Sequence, residues 1–270
     1  AFTEHPYRWP TIGWMDHILA FTVEDCQAFY RTYYAPNNAT LVVAGDITEE
    51  AALEMVEEHY GEMQRQEIPP PPDVEEPAQE EERREVIEWP MSAARLTMGY
   101  HAVSLGHPDH APLTVLNEVL YGGRSGRARA RLVDELELVS DVSGWVPPLR
   151  WAGLYEMHAA LREGCSWEQV LEVIDEEIRG VAEGGPTAAE VEKAVARGER
   201  GFYEGMDSAD GKAQDLGFYH TSLDDFALLF ERVAKLERVS AEDVVRVATQ
   251  YLRPENRTVV AAIPAAGEGA

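Results

Sequence analysis

Apolar positions recur along the chain with helical and strand periods in turn. From Thr22, the residues Cys26, Phe29, Tyr30 and Tyr33 follow at three- and four-residue spacing, one face of a helix. Thr22-Val23-Glu24-Asp25 resembles a capping box, with Asp in place of the usual Glu, and Pro36 stops the helix. Asn37-Asn38 then turns the chain into residues 39–44, whose nearly continuous apolar character predicts a buried strand. Thr48 caps a further helix, with Leu53, Val56 and Tyr60 inward and Glu49, Glu50, Glu54, Glu57 and Glu58 in water.

Residues 66–82 interrupt this order with Pro69 to Pro72, Pro77 and a run of acids, the pattern of a stiff, self-repelling linker. After it, residues 83–89 and 95–102 alternate as strands, and 109–121 form an amphipathic helix with Leu113, Leu116, Val119 and Leu120 inward. A glycine-rich loop at 122–126 leads into a helix reaching about Leu136. Residues 139–146 and 151–160 read as two more strands around Pro147-Pro148. Ser166 to Gln169 opens a helix to Val181, and Thr187 to Glu190 opens a long helical stretch towards Gly217. Residues 224–236 predict another helix, Ser240 starts a last one, and 257–263 end as a strand.

Two stretches repeat. A capped acidic start (Thr22 to Asp25, Ser240 to Asp243) is followed by a Tyr at the helix end (Tyr33, Tyr251). A Pro-x-Asn turn (Pro36 to Asn38, Pro254 to Asn256) and a strand opening on Thr (Thr40, Thr258) come next in both copies. The domain organisation expected is therefore the remnant of a first domain at 1–65, the linker 66–82, and a complete second domain of the same kind at 83–270.

The run from Phe29 to Asp46 resembles the signature that ends the first domain of M16-type (pitrilysin-like, processing-peptidase-type) zinc peptidases, with His5-Pro6-Tyr7 and Gly13 matching the loop upstream of it. Met98-Gly99-Tyr100, His107-Pro108-Asp109, Tyr121-Gly122-Gly123 and Ser125-Gly126-Arg127 follow in family order, as do Thr187-x-x-Glu190 and Val239 to Asp243. The resemblance implies an α+β fold, a mixed and mostly antiparallel sheet with helices on one face. It also implies a zinc endopeptidase parent that encloses peptide substrates. The family's zinc motif, His-x-x-Glu-His, occurs nowhere in this sequence; its family position precedes the His-Pro-Tyr loop, and the opening on Ala1-Phe2-Thr3 leads to the expectation of a truncated chain. No catalytic or metal-binding residue is expected in it, and zinc is expected only in the parent. The family's substrate-contacting Arg and Tyr fall on Val133 and Ser140, both substituted. That substitution implies a partner M16 subunit, as a homo- or heterodimer; the alternative is a non-catalytic scaffold subunit.

Composition narrows the partners. Forty-nine acids against 23 bases give a net charge of −26, a field that repels nucleic acid and anionic membranes. The excess fits either a self-repelling surface or adaptation to high salt. Apolar runs are too short to span a bilayer. Two distant cysteines, Cys26 and Cys165, predict free thiols and favour a cytoplasmic over a periplasmic setting.

Of the tempting clusters, His107-Pro108-Asp109-His110 reads as a helix entry rather than a metal site. Gly122, Gly123, Ser125 and Gly126 lack a P-loop's Gly-Lys-Ser/Thr and read as a plain turn; the alternative, implied by the longer substrate-contacting loop of the processing-peptidase branch, makes them the candidate peptide contacts. Arg124, Arg127, Arg129 and Arg131 spread around a helix, a pattern for ion pairs with the abundant acids. Asp207 to Gly211 reads as an acidic helix break.

Overall fold

Five strands of alternating inward and outward residues build one sheet: β1 (Arg83–Trp89), β2 (Arg95–His101), β3 (Val139–Trp145), β4 (Leu154–Leu161) and β5 (Arg257–Pro264). Their order is β1-β5-β2-β4-β3. β1 runs parallel to β5 and the other three pairings are antiparallel, the mixed, mostly antiparallel sheet anticipated above. The computed structural model describes residues 1–265. It divides into two compact units, one of Ala1, residues 78–203 and the chain from Phe230, the other of residues 2–77 and 204–229.

In the first unit, period-two burial fixes which face of the sheet is covered. Leu96, Met98 and Tyr100 of β2, Tyr155, Met157, Ala159 and Leu161 of β4, and Val259 and Ala261 of β5 are buried together. The helices that close this core are α4 (His110–Tyr121), α6 (Trp167–Gly184) and α10 (Ala241–Tyr251). Val170, Ile174, Ile178 and Val181 keep one stripe of α6 apolar over its 18 residues. α4 lies close on β3 because Gly144 has no side chain: a Cβ there would stand 2.6 Å from the Tyr121 ring.

A buried arginine crosses this core. Arg257, at the start of β5, is 2% exposed. Its guanidinium pairs with Asp175 of α6 and with Glu82, and donates to the Tyr100 hydroxyl at 3.1 Å. Burial pushes the Tyr100 phenol up to about 12, so it stays a neutral partner.

In the second unit, α1 (Met15–Ala20), α2 (Val23–Tyr33), α3 (Glu49–Tyr60) and α8 (Ala209–Leu223) are joined by loops. The α2 capping box forms as expected, with the Asp25 N–H on Thr22 Oγ1 and the Thr22 N–H on Asp25 Oδ2, both at 3.1 Å. Two expectations fail here. Residues 39–44 belong to no sheet ladder among the described residues, and Leu41 and Val43 are exposed. A strand needs a neighbour to take its N–H and C=O groups, and no described segment supplies one. Leu53 and Tyr60 of α3 are likewise exposed rather than inward.

Three further differences are local. The long stretch towards Gly217 is two helices, α7 (Ala188–Gly205) and α8, parted at the break read at Asp207 to Gly211, with Ser208 as the new N-cap, accepting from the Gly211 N–H at 2.9 Å. The helix expected over 224–236 is a 3-10 turn (Phe226–Glu231) followed by α9 (Arg232–Glu237), because Asp224 takes a left-handed φ of 60° and ends α8. β4 starts at Leu154 rather than 151.

Candidate functional site

The glycine loop is shaped by its own backbone and fastened by one helix. Glu118 O takes the Gly122 N–H as α4 ends, and Gly123 then adopts φ 59°, a left-handed conformation that disfavours a side chain. Gly126 sits where a Cβ would fall 2.6 Å from Gly122 N and 2.8 Å from Leu120 O, so the loop folds back on itself only with glycine there. From α7, Lys193 Nζ donates to Ser125 Oγ at 2.9 Å, and Arg197 Nε donates to Glu118 at 2.6 Å. These two residues lie one turn apart on α7. Gly126→Ala should cost about 2 kcal/mol of stability, read as a lower melting temperature; an unchanged transition would mean the loop opens freely.

Behind the loop, each arginine but one finds an acid. Arg127, on the short helix α5 (Arg127–Arg129), makes a bidentate pair with Glu190 at 2.6 and 2.7 Å and donates to Gly185 O. That guanidinium, with the Thr187 hydrogen bonds, holds the Glu190 carboxyl down to about 2. Arg129 pairs with Asp141, and Arg131 with Glu176 and Glu177. The ion pairs expected from the acid excess are therefore present. Arg124 is exposed and has no ion pair among the described residues. Sequence reasoning missed Glu118, Lys193 and Arg197 as fasteners of the loop. Glu190 carried a signal, the Thr187 capping box, which forms as expected and has Arg127 as a further partner.

The helix after α5 changes pitch. Residues Ala130–Glu135 form a π turn, closed by the Leu136 N–H on Arg131 O, five residues back, at 2.8 Å. Val133 lies on this turn and packs against the core. Ser140, exposed at the edge strand β3, donates to Ala160 O at 3.2 Å. Neither side chain carries a guanidinium or a phenol.

The histidine cluster is a helix entry. His107 Nδ1 accepts the Asp109 N–H at 3.0 Å, which occupies that lone pair. Asp109 is buried and receives Arg246 at 2.7 Å and the Tyr251 hydroxyl at 2.7 Å, so it ties α10 to the start of α4. His110 is half-buried, and the loss of water around its ring lowers its pKa to about 4. Among the described residues no three His, Cys, Asp or Glu side chains converge as a metal site. None of the described helices is long and apolar enough to cross a membrane.

Comparison with known proteins gives this arrangement its family. Residues 20–197 match the model "Peptidase M16 inactive domain", and the chain belongs to this family: it is an inactive, C-terminal-type M16 domain of zinc protease-like proteins. A zinc protease of Helicobacter pylori is 26% identical over 96% of this chain. A crystal structure of a protease from the same species superposes with a TM-score of 0.91 at 25% identity, over 97% of this chain and 64% of that one. An M16 inactive domain from Pseudomonas fluorescens shares the fold, with a TM-score of 0.86 at 19% identity over 99% of this chain and 63% of that one. The chain spans 59% of the length of the Helicobacter relative.

Proposed function

We propose that this chain is the non-zinc-binding region of an M16-type zinc endopeptidase. In this reading residues 83–270 form a second domain whose sheet and glycine loop line a chamber that encloses a peptide. Residues 1–65 complete a first domain of like architecture, and 66–82 link the two. The observation that carries it is the repeat. Both copies have the capping box, both have a 3-10 turn at the proline, and Asn38 and Asn256 each donate to the helix-end Tyr carbonyl at 2.8 Å.

Their surroundings differ. Val244, Val247 and Ala248 are buried, but the matching Cys26, Phe29 and Tyr30 are exposed; Val259 and Ala261 are buried, but Leu41 and Val43 are exposed. The second copy thus specifies what the first one lacks: a strand on each side of residues 39–44 and helices on the α2 face. In the glycine loop the exposed Ser125 and the half-buried Gly123 are the peptide contacts of this reading; Gly122 and Gly126 are buried and shape the turn. Val133 and Ser140 support a partner M16 subunit supplying the missing Arg and Tyr; a non-catalytic scaffold is the competing reading.

The full-length protein decides between them. It should hold one zinc, cleave an unstructured peptide, and lose both properties with a chelator, while this chain alone cleaves nothing. A metal-free, inactive full-length protein would establish the scaffold. For the interface, Leu41→Asp with Val43→Asp should abolish association of this chain with the separately produced preceding region, read by native mass spectrometry.

A further inference from the structure

The acidic, proline-rich stretch 66–82 is tied down at specific points. The Gln66 N–H donates to Asn37 Oδ1 at 2.9 Å and Asn37 Nδ2 returns a bond to Gln66 O at 3.0 Å. Ten residues on, the Glu76 carboxylate receives three consecutive backbone donors. The Thr3 N–H (2.6 Å) and hydroxyl (2.8 Å) reach one oxygen; the Glu4 and His5 N–H groups, both at 2.8 Å, reach the other. Successive N–H groups converging on one anion form a backbone nest. Burial alone would raise the Glu76 carboxyl, but these bonds outweigh it and hold it at about 2, so the nest keeps a charged occupant.

The other end is fastened separately. Gln79, buried, donates to Arg257 O at 2.6 Å and Glu255 O at 3.1 Å, and Glu82 pairs with Arg257. Residues 66 and 76 are thus pinned to the unit containing 2–77, and residues 79 and 82 to the unit containing the sheet. Pro69 to Pro72 stiffen the arc between the first two pins.

We propose that this stretch is a strap rather than a free tether, with Glu76 as its latch and Pro77–Ala78 as the pivot left between the two fastened parts. Pro77 fixes its own φ, and a residue before proline is held extended, so few torsions remain there. The other exposed acids of the strap, Glu67, Asp73, Glu75, Glu80 and Glu81, keep it hydrated. Opening the latch would lengthen the free segment from two residues to the whole arc after Gln66.

Hydrogen exchange and brief proteolysis of the chain test this. In the wild type the Thr3, Glu4 and His5 amides should exchange at least about ten-fold more slowly than in an unfolded chain, and the strap should resist subtilisin. Glu76→Ala should remove that protection and be nicked within 67–78 at least about ten-fold faster, with the melting transition retained. Gln79→Ala should open the strap from its other end, leaving the amides of residues 3–5 protected. Two results would overturn the proposal: a wild-type strap cut as fast as that of Glu76→Ala, or unchanged amide exchange in that variant. If Glu76→Ala fails to fold, Glu76→Gln supplies the same readouts with one acceptor oxygen kept.

Discussion

Replacing Arg257 with Ala should lower the stability of the sheet-containing unit by about 3–5 kcal/mol, seen as a fall of roughly 10 °C in melting temperature. The guanidinium is 2% exposed and is shared by Asp175, Glu82 and Tyr100. Removing it strands two carboxylates against a phenol that burial already keeps neutral, and an unpaired charge inside a protein costs far more than an intact pair contributes. Arg257→Met combined with Glu82→Leu should recover part of the loss, because Asp175, 29% exposed against 21% for Glu82, is the partner nearer solvent and can turn to water. A loss below about 1 kcal/mol for Arg257→Ala would show the network to be dispensable.

The second large effect is in pH. His110 carries a folded-state pKa of about 4 against an ordinary 6.5, because burial penalises the imidazolium. The unfolded chain takes up that proton near 6.5 and the folded chain resists until near 4. Stability from this group is therefore whole above pH 6.5, declines as pH falls from 6.5 to 4, and is level below. The full loss is about 3 kcal/mol. Urea titrations at pH 7, 5.5 and 4.5 should follow this decline, and His110→Leu should flatten it. Glu190 is depressed from 4.5 to about 2, so its loss falls in a lower window, from 4.5 to 2, and does not obscure the histidine. An unaltered slope in His110→Leu would assign the acid sensitivity elsewhere.

Much of the fold was legible because its signals are local. Thr22 with Asp25 and Ser240 with Asp243 act within one helical turn, and both capping boxes form. The α6 stripe and the alternation in β2 need only a period. The failures are positions where a distant group decides. Residues 39–44 have a strand's composition and lack a strand's neighbours. The stretch towards Gly217 reads as one helical run by its period, but the break read at Asp207 to Gly211 is real, and there Ser208 caps α8. The left-handed Asp224 carries no compositional mark.

The candidate site divides the same way. The order of Gly122, Gly123, Ser125 and Gly126 was readable, as was the substitution at Val133 and Ser140. The fastening of that loop by Lys193 and Arg197 was not, since nothing in the spacing from residue 125 to 193 indicates proximity. Arg257 was hidden for the same reason: its partners lie at 82, 100 and 175, and a charged residue at a strand start reads as solvent-exposed until those partners are seen.

The place of β5 in the sheet has a consequence for synthesis. It lies between β1 and β2 and supplies the hydrogen bonds of both, so residue 83 must wait for residue 258. Until then β1 has no partner, and β2, β4 and β3 form only a three-stranded antiparallel sheet whose β2 edge is raw. Such long-range pairing makes folding slow and leaves that edge open to other chains. A nascent chain stalled before residue 257 should therefore be protease-sensitive and prone to association, and the sheet should become resistant in one step once β5 has been made.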